Sequence, residues 1–322
     1  MRIAVIDDYQ DAFRQHPAFA RLAAHDVTVF TDTVKDPKAL GDRLADAEAV
    51  VLTQQRSALP AEAIERMPAL RMISQTGRNV AHIDLAACAA RGITVSAGGA
   101  GGPNATAELC WGLILSALRH IPEEVQRLKA GAWQHTLGTG LKDRVLGIYA
   151  YGRIGSLVAR VGQAFGMRVV CWGREQSLAR AKADGFEVAA SREGFFEGAD
   201  VLSLHLPLSA ATRGIVTAAD LARMKASALM VNTSRAQIVA QGALVEALTL
   251  GRPGRAAIDV YEEEPVIGAA HPLISLPSAL CTPHLGYVEE SVYAALYEAA
   301  IEQLVAYSTG APINVVEAPA AG

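Results

Sequence analysis

The chain has 322 residues, of which 51% are hydrophobic, 19% charged and 6% aromatic, and its formal net charge is -4 at pH 7. A chain of this length is too long for one ordinary hydrophobic core, so it is predicted to form two domains of roughly 100 to 200 residues each. The composition is typical of a folded α/β protein and argues against a disordered chain. The negative net charge, without any run of Lys or Arg, argues against a nucleic-acid partner.

The cysteine pattern and the apolar segments restrict the cellular context. No secretory cleavage signal follows the N-terminal apolar run, and the longest strongly apolar stretch, at 109–118, is about half of a membrane span. The sequence therefore predicts a cytoplasmic protein that is not bound to a membrane and that has neither disulfides nor a metal site. The cysteines, which form no C-x-x-C pair, are Cys88, Cys110, Cys171 and Cys281.

Short apolar runs alternate with helical patterns over about the first 100 residues. The helical segments, such as 36–45 and 60–67, carry Pro or Asp near the start, followed by alanines and leucines. This alternation predicts a βαβ unit with a parallel sheet. The predicted strands are 3–6, 27–30, 49–52, 71–74 and 93–95.

A glycine-rich break at 98–104 precedes a long apolar helix pattern at 105–120. Its glycines fit a loop that begins the helix, or a backbone that approaches a ligand, and the break is a predicted hinge. A second βαβ series then begins at Arg144, and its first predicted helix ends at Gly166. An amphipathic helix at 288–307 and an Ala/Pro tail end the chain and are expected to return to the first unit. The predicted strands of this second series are 145–150, 169–172, 201–204, 229–232, 256–260 and 280–282.

A glycine fingerprint at 150–155 lies between a predicted strand and a predicted helix. In a dinucleotide-binding fold, this turn directs helix N–H groups at a pyrophosphate. Ala150 replaces the usual first glycine, whereas Gly152 and Gly155 keep the positions for pyrophosphate approach and helix packing. The motif predicts nucleotide binding, against a purely structural turn. The candidate cofactor-binding residues in it are Tyr151, Gly152, Arg153, Ile154 and Gly155.

Gly173 and Arg174 end the next predicted strand, about twenty residues further along. An NAD-binding protein usually has an acid here that binds the ribose hydroxyls. We favour the interpretation that Arg174 instead pairs with the 2′-phosphate of NADP. The alternative is a solvated Arg174, with Glu175 bonding to the ribose of NAD.

An arginine, a glutamate and a histidine follow apolar runs in the second half of the chain, at Arg235, Glu264 and His284. An arginine binds a carboxylate through two parallel hydrogen bonds, a histidine transfers a proton near neutral pH, and a nearby glutamate sets the histidine tautomer. Together they would suit the reduction of a 2-oxo acid. Taken singly, each also fits a structural role, as a surface ion pair, a loop carboxylate or a residue at a helix N-terminus.

The order of these motifs resembles the D-isomer-specific 2-hydroxyacid dehydrogenases, almost from end to end. This resemblance implies an α/β fold in which a Rossmann-type NAD(P)-binding domain, 103–285, is inserted into a flavodoxin-like substrate domain, 1–102 plus 286–322. The active site would be the cleft between them. The other landmarks of the resemblance are 107–108, 206–208, 212–214, 224–225, 232–235, 259–265 and 283–284.

The resemblance also implies roles for individual residues. Arg235 would bind the substrate carboxylate and polarise the carbonyl, while His284, oriented by Glu264, would donate and accept the proton. Asp259 falls on the position that holds the nicotinamide carboxamide. Further implied cofactor-binding residues are Thr106, His205, Leu206, Pro207, Thr212, Thr233, Ser234 and Gly286. The substrate-binding candidates are Gly77, Arg78, Asn79 and Val80, with Arg56 as a further one.

The resemblance implies hydride transfer between NAD(P)H and a small 2-oxo acid or D-2-hydroxy acid. Ala236, in place of a glycine, and an unusual loop at 76–84 leave the substrate side chain open. The alternative is an NAD(P)H-sensing, corepressor-like module, against which the intact triad argues; Glu264 disfavours a formate dehydrogenase. The apolar face of the 105–120 helix fits a homodimer interface, although a helix buried within one chain would look the same.

Overall fold

The computed structural model describes residues 1–99 and 101–317; Ala100 of the predicted hinge and 318–322 of the predicted tail lie outside the described residues. The chain divides into two compact units. The first comprises the chain up to Gly102 and the C-terminal segment from Glu289, and the second runs from Pro103 to Val288. No helix in the described ranges is both long and apolar enough to span a membrane.

The first unit is built on one parallel sheet. Its strands are β1 (Arg2–Ile6), β2 (Asp26–Val29), β3 (Ala49–Leu52), β4 (Met72–Thr76) and β5 (Thr94–Gly98). Its helices are α1 (Ala12–Gln15), α2 (Pro37–Arg43), α3 (Ala61–Glu65), α4 (Leu85–Ala90), the 3-10 helix Pro17–Leu22, and α12 (Glu290–Ser308) near the C-terminus. The strand order, β2-β1-β3-β4-β5, is the flavodoxin-like order.

Local sequence explains these elements. All four residues of β3 are buried, as expected for a parallel strand covered on both faces. Helix α2 begins at a proline, and the Asp36 carboxylate caps it by accepting the Ala39 N–H at 2.8 Å.

Helix α12 belongs to the first unit although it lies near the other end of the chain. The Ser74 hydroxyl donates to Gln303 Oε1 at 2.7 Å, and the Tyr297 hydroxyl donates to Asp8 Oδ1 at 2.9 Å. These two bonds join α12 to β4 and to the segment after β1.

The second unit is built on another parallel sheet. Its strands are β6 (Val145–Tyr149), β7 (Arg168–Trp172), β8 (Glu187–Val188), β9 (Val201–Leu204), β10 (Leu229–Asn232), β11 (Arg255–Ile258) and β12 (Ala279–Cys281). Its helices are α5 (Asn104–Arg119), α6 (Ile121–Lys129), α7 (Arg153–Ala164), α8 (Glu175–Ala183), α9 (Arg192–Gly198), α10 (Ala218–Arg223) and α11 (Ala243–Thr249). Short 3-10 helices are Ala236–Ile238, Ile267–Ala269 and Pro272–Ser275.

The strand order of this sheet, β12-β11-β10-β9-β6-β7-β8, is the Rossmann order with an additional strand at one edge. The chain runs outward from β6 in one direction through β7 and in the other through β9. Ligands bind at such a reversal point, beyond the carboxyl ends of the strands. The predicted fold class, a Rossmann-type domain inserted into a flavodoxin-like domain, is confirmed.

Helix α5 uses its apolar face inside the second unit. The face that the sequence offered as a dimer interface is packed in the core, where Trp111 donates its ring N–H to the Val158 carbonyl at 3.2 Å. This face is therefore buried within one chain, which is the alternative that the sequence left open to a dimer interface. Its buried residues are Ala107, Cys110, Trp111, Leu113, Ile114 and Leu118.

Candidate active site

His284 and Glu264 are in direct contact beyond the carboxyl ends of β12 and β11. His284 Nδ1 lies 2.5 Å from Glu264 Oε2, and the two side chains are 25% and 29% exposed. The Tyr261 N–H donates to the other carboxylate oxygen, Oε1, at 2.8 Å. Both oxygens of Glu264 are thus engaged, and the ring nitrogen of His284 that remains for another partner is Nε2.

Asp259 fixes the segment that carries His284. Its Oδ1 accepts from the Thr282 hydroxyl at 2.6 Å and the Leu285 N–H at 2.7 Å, and its Oδ2 accepts from the Gly286 N–H at 2.9 Å. Burial raises the pKa of the Asp259 carboxyl, and these hydrogen bonds act in the opposite direction. Because a carboxylate has about four acceptor positions, three bonds to the chain leave room for one more donor.

His284 has a left-handed backbone conformation, with φ at +51°. Such a conformation costs a non-glycine residue about 1–3 kcal/mol and is found where surrounding contacts impose it. The His284 N–H donates to the Thr282 carbonyl at 3.0 Å, which closes the turn. The imidazole is therefore oriented by its backbone as well as by Glu264.

Tyr261 was not singled out by sequence, although it lies within the 259–265 motif. Its hydroxyl donates to the Thr282 carbonyl at 2.9 Å, and its ring packs edge-on against His271, with centroids 5.1 Å apart. Because its N–H also binds Glu264, Tyr261 connects the two segments that carry the His284–Glu264 pair. A tyrosine in this motif is the only signal that the sequence offered for this role.

Arg235 follows β10 in a turn that the Asn232 side chain organises. The Asn232 amide donates to the Arg235 carbonyl and accepts from the Ser234 N–H, both at 3.0 Å. The guanidinium donates to the Ser234 carbonyl at 2.6 Å, and the described residues offer it no carboxylate partner. Its charge is therefore not neutralised within the described chain.

The predicted nucleotide turn joins β6 to α7. Ala150 has φ at +76°, the left-handed conformation that favours glycine at this position. Gly152 precedes the first residue of α7, and a Cβ added there would meet no atom within 4 Å, whereas one at Gly155 would lie 2.5 Å from the Ala150 carbonyl oxygen. Gly152 thus leaves open space beside the N–H groups of the helix, and Gly155 permits close helix packing.

Tyr151 turns away from this space. Its side chain is 2% exposed, its hydroxyl donates to Asp184 Oδ2 at 2.5 Å, and its ring packs on Phe186. Burial, with Asp184 nearby, raises the pKa of this phenol to about 12. Arg153 is exposed at the start of α7, and Ile154 packs against the core. Of the fingerprint residues, Ala150 and Gly152 line the cavity described next.

A cavity of about 450 Å³ lies at the reversal point of the second sheet, beyond β6, β7 and β9. Among the predicted cofactor residues, Gly152, Gly173 and Arg174 line it from the first two loops. The loop after β9 contributes His205, Leu206, Pro207 and Thr212.

The loop after β9 is held by one of its own side chains and by one from the turn after β10. The Thr212 hydroxyl donates to the Pro207 carbonyl at 2.6 Å, and the Ser234 hydroxyl donates to the Leu206 carbonyl. His205 Nε2 lies 2.9 Å from the Ser203 hydroxyl, and burial lowers the His205 pKa to about 4. The imidazole of His205 is therefore neutral at pH 7.

The second unit has the features that a dinucleotide needs. Gly152 leaves space at a helix N-terminus, and the cavity lies beside it. The Thr233 hydroxyl, directly after β10, is buried and has no hydrogen-bond partner within the described part of the chain. Thr106 donates its hydroxyl to the Gly286 carbonyl at 2.8 Å, so these two predicted residues are joined to each other. The residues present therefore fit a bound dinucleotide.

The substrate-binding candidates lie in the first unit, after β3 and β4. Asn79 Nδ2 donates to Gln55 Oε1 at 3.0 Å, and this bond connects the two loops. Gly77 has φ at +86° beside them, and Arg78 is exposed. Arg56 is part-buried, and its guanidinium donates to the Tyr293 hydroxyl at 2.7 Å. Val80 packs at the edge of this unit's core.

No group of three or more His, Cys, Asp or Glu side chains in the described ranges has an arrangement that could bind a metal ion.

Comparisons with known proteins all indicate the same family. The family model for the NAD-binding domain of D-isomer specific 2-hydroxyacid dehydrogenases matches residues 111–286. A glyoxylate reductase of Aeropyrum pernix is 36% identical over 284 residues, which cover 85% of this chain and 83% of the relative. A D-3-phosphoglycerate dehydrogenase of Methanocaldococcus jannaschii is 32% identical over 87% of this chain, which spans about half, 53%, of that relative.

Two crystal structures are similar over nearly the whole chain. A phosphoglycerate oxidoreductase from Vibrio cholerae o395 has a TM-score of 0.92 at 47% identity, covering 97% of this chain and 100% of that one. An oxidoreductase from Ralstonia solanacearum has a TM-score of 0.93, also at 47% identity, with 99% and 98% covered. The chain belongs to the D-isomer specific 2-hydroxyacid dehydrogenase family.

Proposed function

We propose that this protein is an NAD(P)-dependent D-2-hydroxyacid dehydrogenase that interconverts a small 2-oxo acid and the corresponding D-2-hydroxy acid. The observation that carries this proposal is the 2.5 Å contact between His284 and Glu264 in a chain whose residues 111–286 match an NAD-binding domain. A nicotinamide cofactor supplies the hydride when it is bound.

Arg235 binds the carboxylate of the substrate in this mechanism. Its guanidinium has no carboxylate partner in the described chain, so two parallel N–H groups remain for a bidentate bond. The same positive charge polarises the neighbouring 2-oxo group. Arg235 therefore both positions the substrate and stabilises the negative charge that develops on its carbonyl oxygen.

His284 moves the proton. In the reductive direction, protonated His284 donates from Nε2 to the carbonyl oxygen, and Glu264 stabilises the imidazolium through Nδ1. In the oxidative direction, neutral His284 accepts the hydroxyl proton at Nε2. General acid-base catalysis of this kind contributes about a hundred- to ten-thousand-fold in rate.

The cofactor is held by the second unit. Gly152, Arg153 and Ile154 would present the N-terminus of α7 to its pyrophosphate. The Thr233 hydroxyl and Asp259 would bond to its nicotinamide end, and Arg174 would favour NADP over NAD. The first unit is the substrate domain. Its proposed substrate-binding residues are Arg56, Gly77, Arg78, Asn79 and Val80.

The decisive experiment is His284→Gln, assayed by NAD(P)H oxidation with glyoxylate, hydroxypyruvate and pyruvate. We expect turnover on the best substrate to fall by about a hundredfold or more, because no group replaces the proton donor. NAD(P)H affinity, measured by fluorescence titration, should stay within about twofold, because His284 does not line the nucleotide cavity.

His120→Gln is the matched control. His120 lies in the same unit with Nδ1 3.6 Å from a glutamate carboxylate, but it has no role in the proposed chemistry, and turnover should stay near normal. Near-normal turnover of His284→Gln would contradict the proton-donor role. A wild-type protein that binds NAD(P)H but reduces no 2-oxo acid would support the sensing module instead.

A further inference from the structure

The nucleotide cavity is positively charged on one side. Three arginines line it, Arg174, Arg180 and Arg192, and no Asp or Glu does so in the described chain. Of the three, the sequence motif indicated Arg174 alone. An excess of positive charge at the end of β7 calls for an anionic group on the ligand, beyond the pyrophosphate that α7 can bind.

The charge of Arg192 is neutralised by the protein itself. Its guanidinium forms a two-pronged ion pair with Asp220, at 2.8 and 2.7 Å, and lies 3.2 Å from the Tyr149 hydroxyl. This ion pair raises the pKa of Arg192. Arg192 therefore builds the cavity wall and offers no free charge to a ligand.

Arg174 and Arg180, unlike Arg192, are not neutralised by a carboxylate of the described chain. Both are exposed, and the described residues provide neither with a carboxylate partner. Arg180 donates to the Tyr151 carbonyl at 3.2 Å, a contact with a neutral acceptor that leaves its charge uncompensated. Arg174 directly precedes the first residue of α8. With Ser177, the two arginines form a row at intervals of three residues along one side of α8, and all three line the cavity.

The end of β7 also lacks the group that binds an unphosphorylated ribose. Gly173 follows β7 directly, where an acidic residue would accept the ribose hydroxyls. Glu175, the first residue of α8, does not line the cavity. The cavity thus lacks the acceptor that NAD needs and has two free cations where the 2′-substituent of the adenosine ribose would lie.

We propose that Arg174 and Arg180 form a binding site for the 2′-phosphate of NADP, with Arg180 as a second specificity-determining residue. This inference rests on the proposed function for the identity of the ligand as a nicotinamide dinucleotide. A phosphate monoester has three acceptor oxygens and up to two negative charges, and two guanidinium groups can share them.

The test is a binding measurement that requires no turnover. NADPH and NADH dissociation constants are measured by fluorescence titration for the wild type, Arg174→Gln, Arg180→Gln and the double variant. Adenosine 2′,5′-bisphosphate and adenosine 5′-monophosphate are compared by calorimetry as probes of the phosphate alone. We expect the wild type to bind NADPH about tenfold or more tightly than NADH, since charge-assisted bonds of this kind contribute about that factor each.

Each single variant should lose about tenfold in NADPH affinity and less than about twofold in NADH affinity, and the double variant should lose the preference. The preference of the wild type should weaken as salt increases, because both arginines are exposed. Arg168→Gln is the control: it lies at the opposite end of β7, is 60% exposed and pairs with Glu187, so the preference should not change. Arg180→Lys, which keeps the charge, should retain part of the preference.

An equal loss of NADPH and NADH affinity in Arg180→Gln would overturn the proposal, since it would indicate contact with the adenosine instead of the 2′-phosphate. An unchanged NADPH affinity in that variant would overturn it as well. The two proposals fail separately. If NADPH binds selectively but no 2-oxo acid is reduced, the catalytic proposal fails and the phosphate site stands; if reduction proceeds equally well with NADH, the phosphate site fails.

Discussion

Tyr261 is in contact with both segments that hold the proposed proton donor. Its N–H binds Glu264 Oε1 at 2.8 Å, and its hydroxyl binds the Thr282 carbonyl at 2.9 Å, two residues before His284. Neither of these bonds is made to His284 itself, so we expect Tyr261 to act as a positioning residue. Its effect on the reaction passes through the Glu264–His284 pair.

Tyr261→Phe should therefore lower kcat several-fold and leave KM and NAD(P)H affinity within about twofold. The change removes one of the two hydrogen bonds that the Thr282 carbonyl accepts, the other coming from the His284 N–H, and should lower the free energy of unfolding by about 1 kcal/mol. The measurements are steady-state kinetics, fluorescence titration and urea unfolding. Tyr307→Phe is the matched control. The Tyr307 hydroxyl also donates to a backbone carbonyl, at 3.3 Å, but it lies in the first unit, whereas the Glu264–His284 pair lies in the second. A kcat equal in both variants would exclude a positioning role.

The sequence indicated candidate residues of the site but not the contacts between them. It named Glu264 and His284, but a separation of twenty residues does not specify the 2.5 Å bond between them. The three hydrogen bonds of Asp259 were also not predictable, because they require 282–286 to fold back over the end of β11. Tyr151 was predicted beside the cofactor from its place in the fingerprint. Its direction into the core depends on Asp184, which lies 33 residues away.

At the scale of elements, strands were predicted best where an apolar run is continuous and fully buried. The predicted ranges 49–52, 201–204 and 229–232 coincide with β3, β9 and β10. The prediction for β4 stopped at residue 74, whereas the strand continues to Thr76. Gln75 is polar but buried, and its amide donates to the Gln54 carbonyl at 2.9 Å, a partner that hydrophobicity does not reveal. The two-residue β8 and short helices such as α9 have too few residues to show a periodicity.

His205, which directly follows β9, makes the stability of the fold depend on pH. The His205 pKa is lowered to about 4 from 6.5, so between these pH values the folded state binds fewer protons than the unfolded state. Stability is therefore lost as pH falls from about 6.5 to 4, at up to about 1.4 kcal/mol per pH unit. The slope is an upper limit, because the ring is partly exposed.

His205→Gln should flatten this dependence. The measurement is urea unfolding of the wild type and the variant at pH 7, 5.5 and 4.5, and the difference between their free energies of unfolding isolates His205. His82, whose pKa burial also lowers to about 4, contributes equally to both proteins. Parallel pH dependences for the two proteins would show that His205 is not held neutral in the folded state.

At the scale of the whole molecule, the alternating patterns predicted both units, but the C-terminal helix shows a limit. Its sequence predicts a helix over 288–307 and the structure has Glu290–Ser308. Polar contacts with distant residues join this helix to the first unit. One of them is the hydrogen bond between Tyr297 and Asp8, which lie 289 residues apart in sequence. Such a pair carries no periodicity, so its partner could not be identified from the sequence.

The predicted homodimer would need a surface other than the apolar face of α5. With the apolar face of α5 buried within the second unit, five of the large apolar side chains that the described chain exposes lie on α6 and the segment that follows it. Glu124 on α6 accepts the Thr136 N–H at 2.8 Å, which holds that segment beside the helix. The exposed side chains are Ile121 (46%), Val125 (45%), Leu128 (57%), Trp133 (77%) and Leu137 (96%).

Monomeric proteins rarely expose this much large apolar surface in one region, so we expect a second copy of the chain to cover it. Trp133→Glu combined with Leu137→Glu should convert a dimer to a monomer, measured by sedimentation equilibrium at micromolar concentration. Both side chains are exposed in the single chain, so circular dichroism should confirm that the variant stays folded. Leu250→Glu is the control, because Leu250 is 74% exposed but follows α11, and the dimer should persist. A wild-type monomer, or a dimer that survives both glutamates, would refute this interface.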